Sequence, residues 1–393
     1  MSAIFNLFYL YDPWLFHFFR MAFFVGFIAI SYLTYKLYKK EYSQGVIIPL
    51  DSLAVIGILI VFTLLPLLIH SSRDFSVLFQ YIKTLILFVF AIGIYNLFYF
   101  QHNGKVRFIN DLKIGIGIQF VIGFLALLGI TFIINFALST HIVLPTFYGS
   151  EQEYRLYNFT SSAFFQLSAF YVVLLHFLLA YNKQHNSISA VYLFLILCIG
   201  LISGRTFLLL SIISIAAYFK LRYLPALLLF AGLCLMLAMN FADHKYVAHA
   251  LEPLINLLGH KGLVSSSTDT LIEKHLFIPT LKQIMIGEGY YMTVDGHYYG
   301  GTDSGFLRQI LYGGIVNVIV CLLFTAYFVR KIALHWFQGS WYFSLSTLAI
   351  LSILNIKADT YAFPGLMLML LMLLSLFGEK GNNLILFKNI KDE

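Results

Sequence analysis

Apolar residues run through this chain in stretches of about twenty, cut by short polar breaks, and that rhythm sets the expected fold. Stretches of this length suit helices that cross a hydrocarbon core. Membrane β-barrel strands would instead alternate apolar and polar residues over about ten positions. The breaks put spans at about 14–35, 47–69, 77–100, 112–138, 162–181, 188–203, 206–220, 222–240, 304–330, 340–356 and 360–378. The expected fold is therefore an all-α, polytopic transmembrane bundle of about eleven helices, within a range of ten to twelve. Lys220, Arg222 and Pro225 are the only break inside 206–240. Ile4 to Leu10 also reads as a short interfacial helix, ended by Asp12-Pro13. One long polar excursion, 241–303, separates 1–240 from 304–393, which gives three sections: eight helices, a large loop, then three helices and a tail.

Composition agrees with this reading, since 60% of the residues are hydrophobic and only 11% charged, against roughly 25% charged in soluble domains. The net charge of +7 carries no nucleic-acid signal, because the basic residues are scattered over loops at membrane boundaries. Lys36, Lys39, Lys40, Lys105, Arg107, Lys113, Lys183, Lys220, Arg222, Arg330, Lys331, Lys380, Lys388 and Lys391 fall on one set of short connections. The opposite short loops hold only Arg73, Arg155, Arg205 and Lys357. The first set is expected on the cytoplasmic side, so the loops at 139–161 and 241–303 face outward. The first helix is expected to stay as an anchor, since no basic leader or small-residue cleavage site precedes it. Cys198, Cys234 and Cys321 lie inside apolar runs and suggest neither disulfide nor metal site. Gly115-Ile-Gly117 follows no strand, and no phosphate-cradling Walker loop is present, which argues against nucleotide hydrolysis.

Chemistry is expected where polar residues interrupt the lipid-soluble pattern. Arg205, in Ser203-Gly204-Arg205-Thr206, sits between two short apolar runs. An arginine at mid-bilayer costs roughly 2.5–3.5 kcal/mol on insertion scales, so it needs a partner. Its guanidinium either grips phosphate oxygens, snorkels to headgroups, or pairs with an acid on a neighbouring helix. Arg155 either joins Arg205 on a diphosphate or pairs with Glu151 four residues before it. Lys357 offers a third outward cation, unless Asp359 takes it. Asp303 precedes a helix, where it either caps the N-terminus or accepts a proton from an attacking hydroxyl. Glu288 and Asp295 are weaker choices for that task, and Arg308 either faces the same cleft or reaches headgroups. Tyr290, Tyr291, Tyr298 and Tyr299 suit sugar faces or an interfacial aromatic belt. His244, His249, His260, His275 and His297, with Glu252 and Glu273, lack the helical spacing of a zinc site, so no metal is expected.

Four features together resemble the O-antigen polymerase and O-antigen ligase superfamily. They are Ser203-Gly204-Arg205, Gly287-Glu288-Gly289 closing a large late loop, Asp303-Ser304, and Gly313-Gly314 about ten residues into the next helix. The resemblance covers about 150–320 and implies a GT-C-like glycosyltransferase architecture in a bacterial inner membrane, with the large loop and the active site in the periplasm. It implies transfer of an oligosaccharide from undecaprenyl diphosphate onto another lipid-linked repeat unit, inverting and without cofactor. In that reaction Asp303 and Arg205 are catalytic, and Arg155, Arg205, Arg308, Glu288, Tyr290, Tyr291, His297, Tyr298 and Lys357 bind substrate. Membrane lipid and a chain-length regulator protein are the implied partners. The ligase branch carries a His-Asn or similar pair where this chain has Asp303-Ser304, which favours the polymerase and leaves the base open, with His297 as a substitute.

Two other classes fit less well. A flippase or transporter would line a midplane cavity with charges and show internal repeats; here Lys83 is the main midplane charge and no repeat is found. A membrane scaffold would not need arginines at short outward turns.

Overall fold

The computed structural model describes residues 1–15, 17–42, 45–100, 103–142, 144–260, 266–378 and 384–387. Lys380, Lys388 and Lys391, expected on the inward side, lie outside the described residues. The fold is mostly helical. In chain order the helices are α1 (Ser2–Tyr11), α2 (Met21–Tyr38), α3 (Leu50–Phe62), α4 (Leu64–His70), α5 (Ser76–Phe98), α6 (Gly104–Leu127), α7 (Thr131–Ser139), α8 (Phe164–His185) and α9 (Ala190–Ser203). There follow α10 (Arg205–Ala217), α11 (Leu224–Asn240), α12 (Lys245–Ala250), α13 (Glu252–Leu258), α14 (Ser266–Thr270), α15 (Leu281–Ile286), α16 (Gly305–Trp336), α17 (Trp341–Lys357) and α18 (Leu366–Leu374). Two short antiparallel pairs complete it, β1 (Trp14–Leu15) with β2 (Phe19–Arg20), and β3 (Val46–Ile48) with β4 (Leu384–Leu386).

Seven helices among the described residues are long and apolar enough to cross a membrane: Met21–Tyr38, Leu50–His70, Ser76–Phe98, Gly104–Leu127, Phe164–His185, Leu221–Asn240 and Gly305–Trp336. The expected first span starts later than 14, because Trp14–Leu15 turns back on Phe19–Arg20. The expected span 112–138 is cut at Gly129, whose φ of +82 ends one helix before α7 begins. The helices on either side of Gly204 have 14 and 13 residues, about 20 Å each, which is short of the ~30 Å core.

The chain forms two compact units, each assembled from two stretches: residues 1–24 with 106–269, and 25–105 with 270–393. In the first unit α8 is the central helix, buried along nearly all its length, with α9 and α10 packed on it. Its two ends differ in chemistry. Near its start, Ser168 bonds Ser203 and the Phe164 ring lies under Arg155. Near its end, Lys220 donates to the Asn182 and Lys183 carbonyls, Lys113 to the Ser187 carbonyl and Arg222 to the Ile188 carbonyl. Cations there neutralise the negative end of the helix dipole.

The second unit shows the same segregation along α16. Its first turns carry Arg308, and its far end carries Arg330 and Lys331, which bond the Gly339 carbonyl and Asp51. α16 is broken at Gly313 and Gly314, whose backbones leave the helical region (φ −143°, ψ 23° and φ 69°, ψ −169°). Residues 315–336 beyond the break span about 33 Å, enough to cross unaided. The freed backbone is not left unpaired. Glu288 and Gly289 donate to the Leu311 and Tyr312 carbonyls, and Asn317 donates to the Gln309 carbonyl. This close approach explains the glycines, since a Cβ on Gly287 would sit 2.7 Å from the Gly313 nitrogen and one on Gly314 2.6 Å from the Met285 oxygen.

We expect Gly314→Ala to lower stability by about 1–3 kcal/mol, from the unfavourable φ and the clash together. Gly117→Ala, where a Cβ meets nothing within 4 Å, is expected to be neutral or slightly stabilising. Thermal unfolding of the purified chain in detergent compares the two, and an equal effect would remove the packing explanation.

Candidate functional site

Each unit carries one charged cluster at a break in its helices. In the first unit, α9 runs into α10 through Gly204 alone, which adopts φ 153°, ψ 159°, a region that is essentially glycine's. A Cβ there would lie 2.8 Å from a terminal nitrogen of Arg155 and 3.0 Å from Ser168 Oγ. The glycine thus makes room for a guanidinium. Arg155, on a single 3-10 turn (Glu153–Leu156), donates from Nε to the Ser203 carbonyl at 3.2 Å and from Nη1 to Gln152 Oε1 at 3.1 Å. Its charge lies 4.4 Å from the Phe164 ring centre.

Arg205 opens α10 and is ion-paired with Glu252, the first residue of α13. Of the three readings open for Arg205, pairing with an acid on a neighbouring helix is the one found. For Arg155 the Glu151 pair gives way to a seat beside Arg205. Burial, with the Arg205 charge adding to it, pushes Arg155 down to about 10 from its ordinary 12.5. His249, on α12, closes the group, its Nδ1 3.0 Å from the Tyr154 hydroxyl. Burial first, then Arg205 and Arg155, depress it to about 4. Two guanidinium groups and a histidine held neutral at physiological pH therefore meet around the Arg205–Glu252 ion pair, with the Glu151 charge also acting on Arg205. Guanidinium groups so placed have the donor geometry that suits phosphate or carboxylate oxygens.

The second unit builds a network around Arg308, which is 4% exposed rather than reaching headgroups. Its Nη1 donates to Asp359 at 2.9 Å, its Nη2 to Asp303 at 3.0 Å and its Nε to the Thr302 carbonyl at 3.0 Å. The Tyr298 ring stacks against it at 3.2 Å. Buried Tyr291 donates its hydroxyl to Asp359. Burial raises the proton affinity of Asp359, while Arg308 and Tyr291 pull it back. Asp303 is the member open to water, its side chain 53% exposed, and His275 Nε2 lies 3.5 Å from it. The helix cap open for Asp303 is not formed, because Ser304 occupies the N-cap position. Asp74 holds the loop in place, its Oδ2 accepting the backbone N–H groups of Tyr291 and Met292 at 2.6 and 2.7 Å.

The remaining expected residues sit more loosely. Glu288 accepts the Tyr299 hydroxyl, and Tyr299 stacks at 5.5 Å on exposed Tyr290. The four tyrosines are thus no uniform belt, since Tyr291 and Tyr298 serve the arginine network. His297 and Asp295 are exposed on a tight turn in which Thr293 bonds the His297 backbone. Lys357 ends α17, half-buried. No group of three or more His, Cys, Asp or Glu side chains suited to a metal converges among the described residues. Sequence reasoning passed over Asp359, Asp74, Glu252, His275 and His249 as site residues. Asp359 was legible only as a partner for Lys357, and the two histidines only as failed zinc ligands. Comparison of the chain with protein-family models, with curated proteins and with solved structures finds no match.

Removing Asp359 leaves a buried guanidinium short of its main counter-charge, so Asp359→Ala is expected to cost about 3–5 kcal/mol. Asp303→Ala, at a half-exposed pair, is expected to cost about 1 kcal/mol or less. Thermal unfolding in detergent reads both, and comparable losses would mean that Asp303 is as much a fold determinant as Asp359.

Proposed function

We propose that the chain is a bacterial surface-polysaccharide polymerase, a glycosyltransferase that joins oligosaccharide repeat units carried on undecaprenyl diphosphate. The observation that carries this is the pairing of Arg155 and Arg205 at the Gly204 turn. Two like charges held side by side repel each other, and a fold that keeps them so is well suited to an anion with two charged centres. A diphosphate between a lipid and a sugar is such an anion, and it belongs at a membrane boundary.

The chemistry needs little else. An acceptor hydroxyl attacks the anomeric carbon of the donor sugar. The bond from that carbon to the diphosphate oxygen breaks, its electron pair leaves with the diphosphate, and configuration inverts. Negative charge grows on the departing oxygen, where each guanidinium contributes a charge-assisted contact of about 1.5–3 kcal/mol. The hydroxyl proton goes to a carboxylate, for which Asp303 is proposed because it is open to water and oriented by Arg308. That role stands on its own test. The donor is already activated, so the proposal invokes no cofactor.

We further propose that both clusters face the periplasm, with the basic ends of α8 and α16 in the cytoplasm. The short apolar helices Ser2–Tyr11, Ala190–Ser203, Arg205–Ala217 and Trp341–Lys357 would bring the membrane-embedded set to about eleven in a GT-C-like arrangement. A chain-length regulator is the proposed protein partner.

Purified protein with lipid-linked repeat units should elongate them, which a flippase would not do. Deletion in the source bacterium should leave lipopolysaccharide with one repeat unit, whereas bare core would mean a ligase instead. Arg205→Ala is expected to cut elongation by roughly 10²–10³-fold. Arg155→Lys should cut it at least about tenfold, since lysine lacks the planar fork. A normal polymer ladder from Arg205→Ala would take the arginine pair out of the mechanism. Asp303→Asn should slow elongation while leaving thermal unfolding nearly unchanged; full chain length from that variant would end its role as proton acceptor.

A further inference from the structure

His249 is poised for a role that the polymer chemistry above does not use. Its Nδ1 lies 3.0 Å from the hydroxyl of Tyr154, a buried phenol pushed by burial up to about 12 and so fully protonated. A phenol that keeps its proton donates to Nδ1, which puts the imidazole proton on Nε2. The groups facing this ring are charged unevenly. From the 3-10 turn come Tyr154, Arg155 and Glu153, the last engaged by the Tyr157 hydroxyl at 2.6 Å, and from just before the turn comes Glu151, whose charge acts on Tyr154 and Arg205. From α10 comes Arg205, and from α13 Glu252, which is ion-paired to it. From its own helix and the residue before it come Tyr246, His244 and Lys245, whose ammonium bonds the Gly149 carbonyl. Beyond burial, the charges of Arg205 and Arg155 both oppose protonation of the imidazole.

An anion bound to those arginines reverses that balance, because its negative charge cancels their repulsion and favours imidazolium. We propose that His249 takes up one proton from solvent when the Arg155–Arg205 pair binds a diphosphate diester, in answer to the negative charge brought to the turn whose Tyr154 its Nδ1 contacts. The Tyr154 hydroxyl then turns from donor to acceptor as Nδ1 gains its hydrogen. The inference rests on the reading of the arginine pair as a diphosphate site. Its sign follows from linkage. A histidine held below its ordinary 6.5 destabilises the empty fold as pH falls through that value, and an anion that raises it binds more tightly as pH falls. One proton limits the gain to about tenfold in affinity per pH unit.

The test uses the full chain in lipid nanodiscs and farnesyl-diphospho-glucose, a diester whose two phosphates stay ionised throughout. Titration calorimetry at about pH 5.5 to 7.5, in two buffers of different ionisation heat, counts the protons taken up on binding. The expected result is uptake rising towards one proton per probe at the acid end, with affinity increasing severalfold from about pH 7.5 to 5.5. His249→Gln, which keeps a hydrogen-bonding partner for Tyr154 but does not titrate, should flatten the affinity profile and abolish the uptake. Binding by the unaltered chain without proton uptake would overturn this inference and leave the arginine site standing. Uptake that persists in His249→Gln would overturn it too, by assigning the proton elsewhere. No binding at any pH would overturn both the inference and the diphosphate reading beneath it.

Discussion

A backbone that leaves the helix in or near lipid must find its hydrogen-bond partners within the protein, because no water is there to supply them. This constraint governs where the chain can place chemistry. Helices break at Gly204 in one unit and at Gly313–Gly314 in the other, and both breaks are closed by partners from elsewhere in the same unit. At Gly204 the partner is the Arg155 guanidinium on the Ser203 carbonyl. At Gly313–Gly314 the partners are the Glu288 and Gly289 amides and the Asn317 side chain. At Gly204, charge placement and backbone repair are thus the same event, whereas at Gly313–Gly314 neutral groups make the repair.

The two clusters differ in how their charges are balanced, and that difference assigns their capacities. Arg308 is saturated by Asp303, Asp359 and the Thr302 carbonyl, with Tyr298 against its face. Its buried side is a structural anchor, since breaking such a pair strands a charge in a medium that cannot solvate it. Only Asp303 turns to solvent. Arg155 and Arg205 are held together around the Arg205–Glu252 ion pair, and a neutral histidine completes the group. The first arrangement fixes a loop and presents a carboxylate. The second has the donor geometry that suits phosphate or carboxylate oxygens.

Glycine placement links the motifs to both charged clusters. Gly287 and Gly314 lie at one contact between the two glycine motifs, where a Cβ on either would collide with backbone. That contact sets Tyr291 two residues beyond Gly289, where Asp74 grips its amide and Asp359 accepts its hydroxyl. The position of Arg308 relative to the long loop depends on this packing. Gly204 works similarly, leaving room for a guanidinium rather than for another backbone.

What the residues settled alone was the part that depends on local periodicity and on the cost of charge in lipid. Long apolar runs required helices, and the rarity of outward cations on short loops singled out Arg155, Arg205 and Lys357, with Arg205 the one whose place between apolar runs demanded a partner. The uneven spread of lysine and arginine is repeated in the structure at the two ends of α8 and of α16. Which partners they found was not legible, because ion pairs such as Arg205–Glu252 and Arg308–Asp359 join residues 47 and 51 positions apart. Asp303 shows the limit well. Its position before a helix is a local signal for a cap, but Ser304 takes the cap position and Asp303 turns to Arg308 five residues on and to the more distant His275. The hairpin that delays the first span and the neutral state of His249 are likewise products of packing, since burial and neighbouring charge act through space and leave no trace in residue spacing.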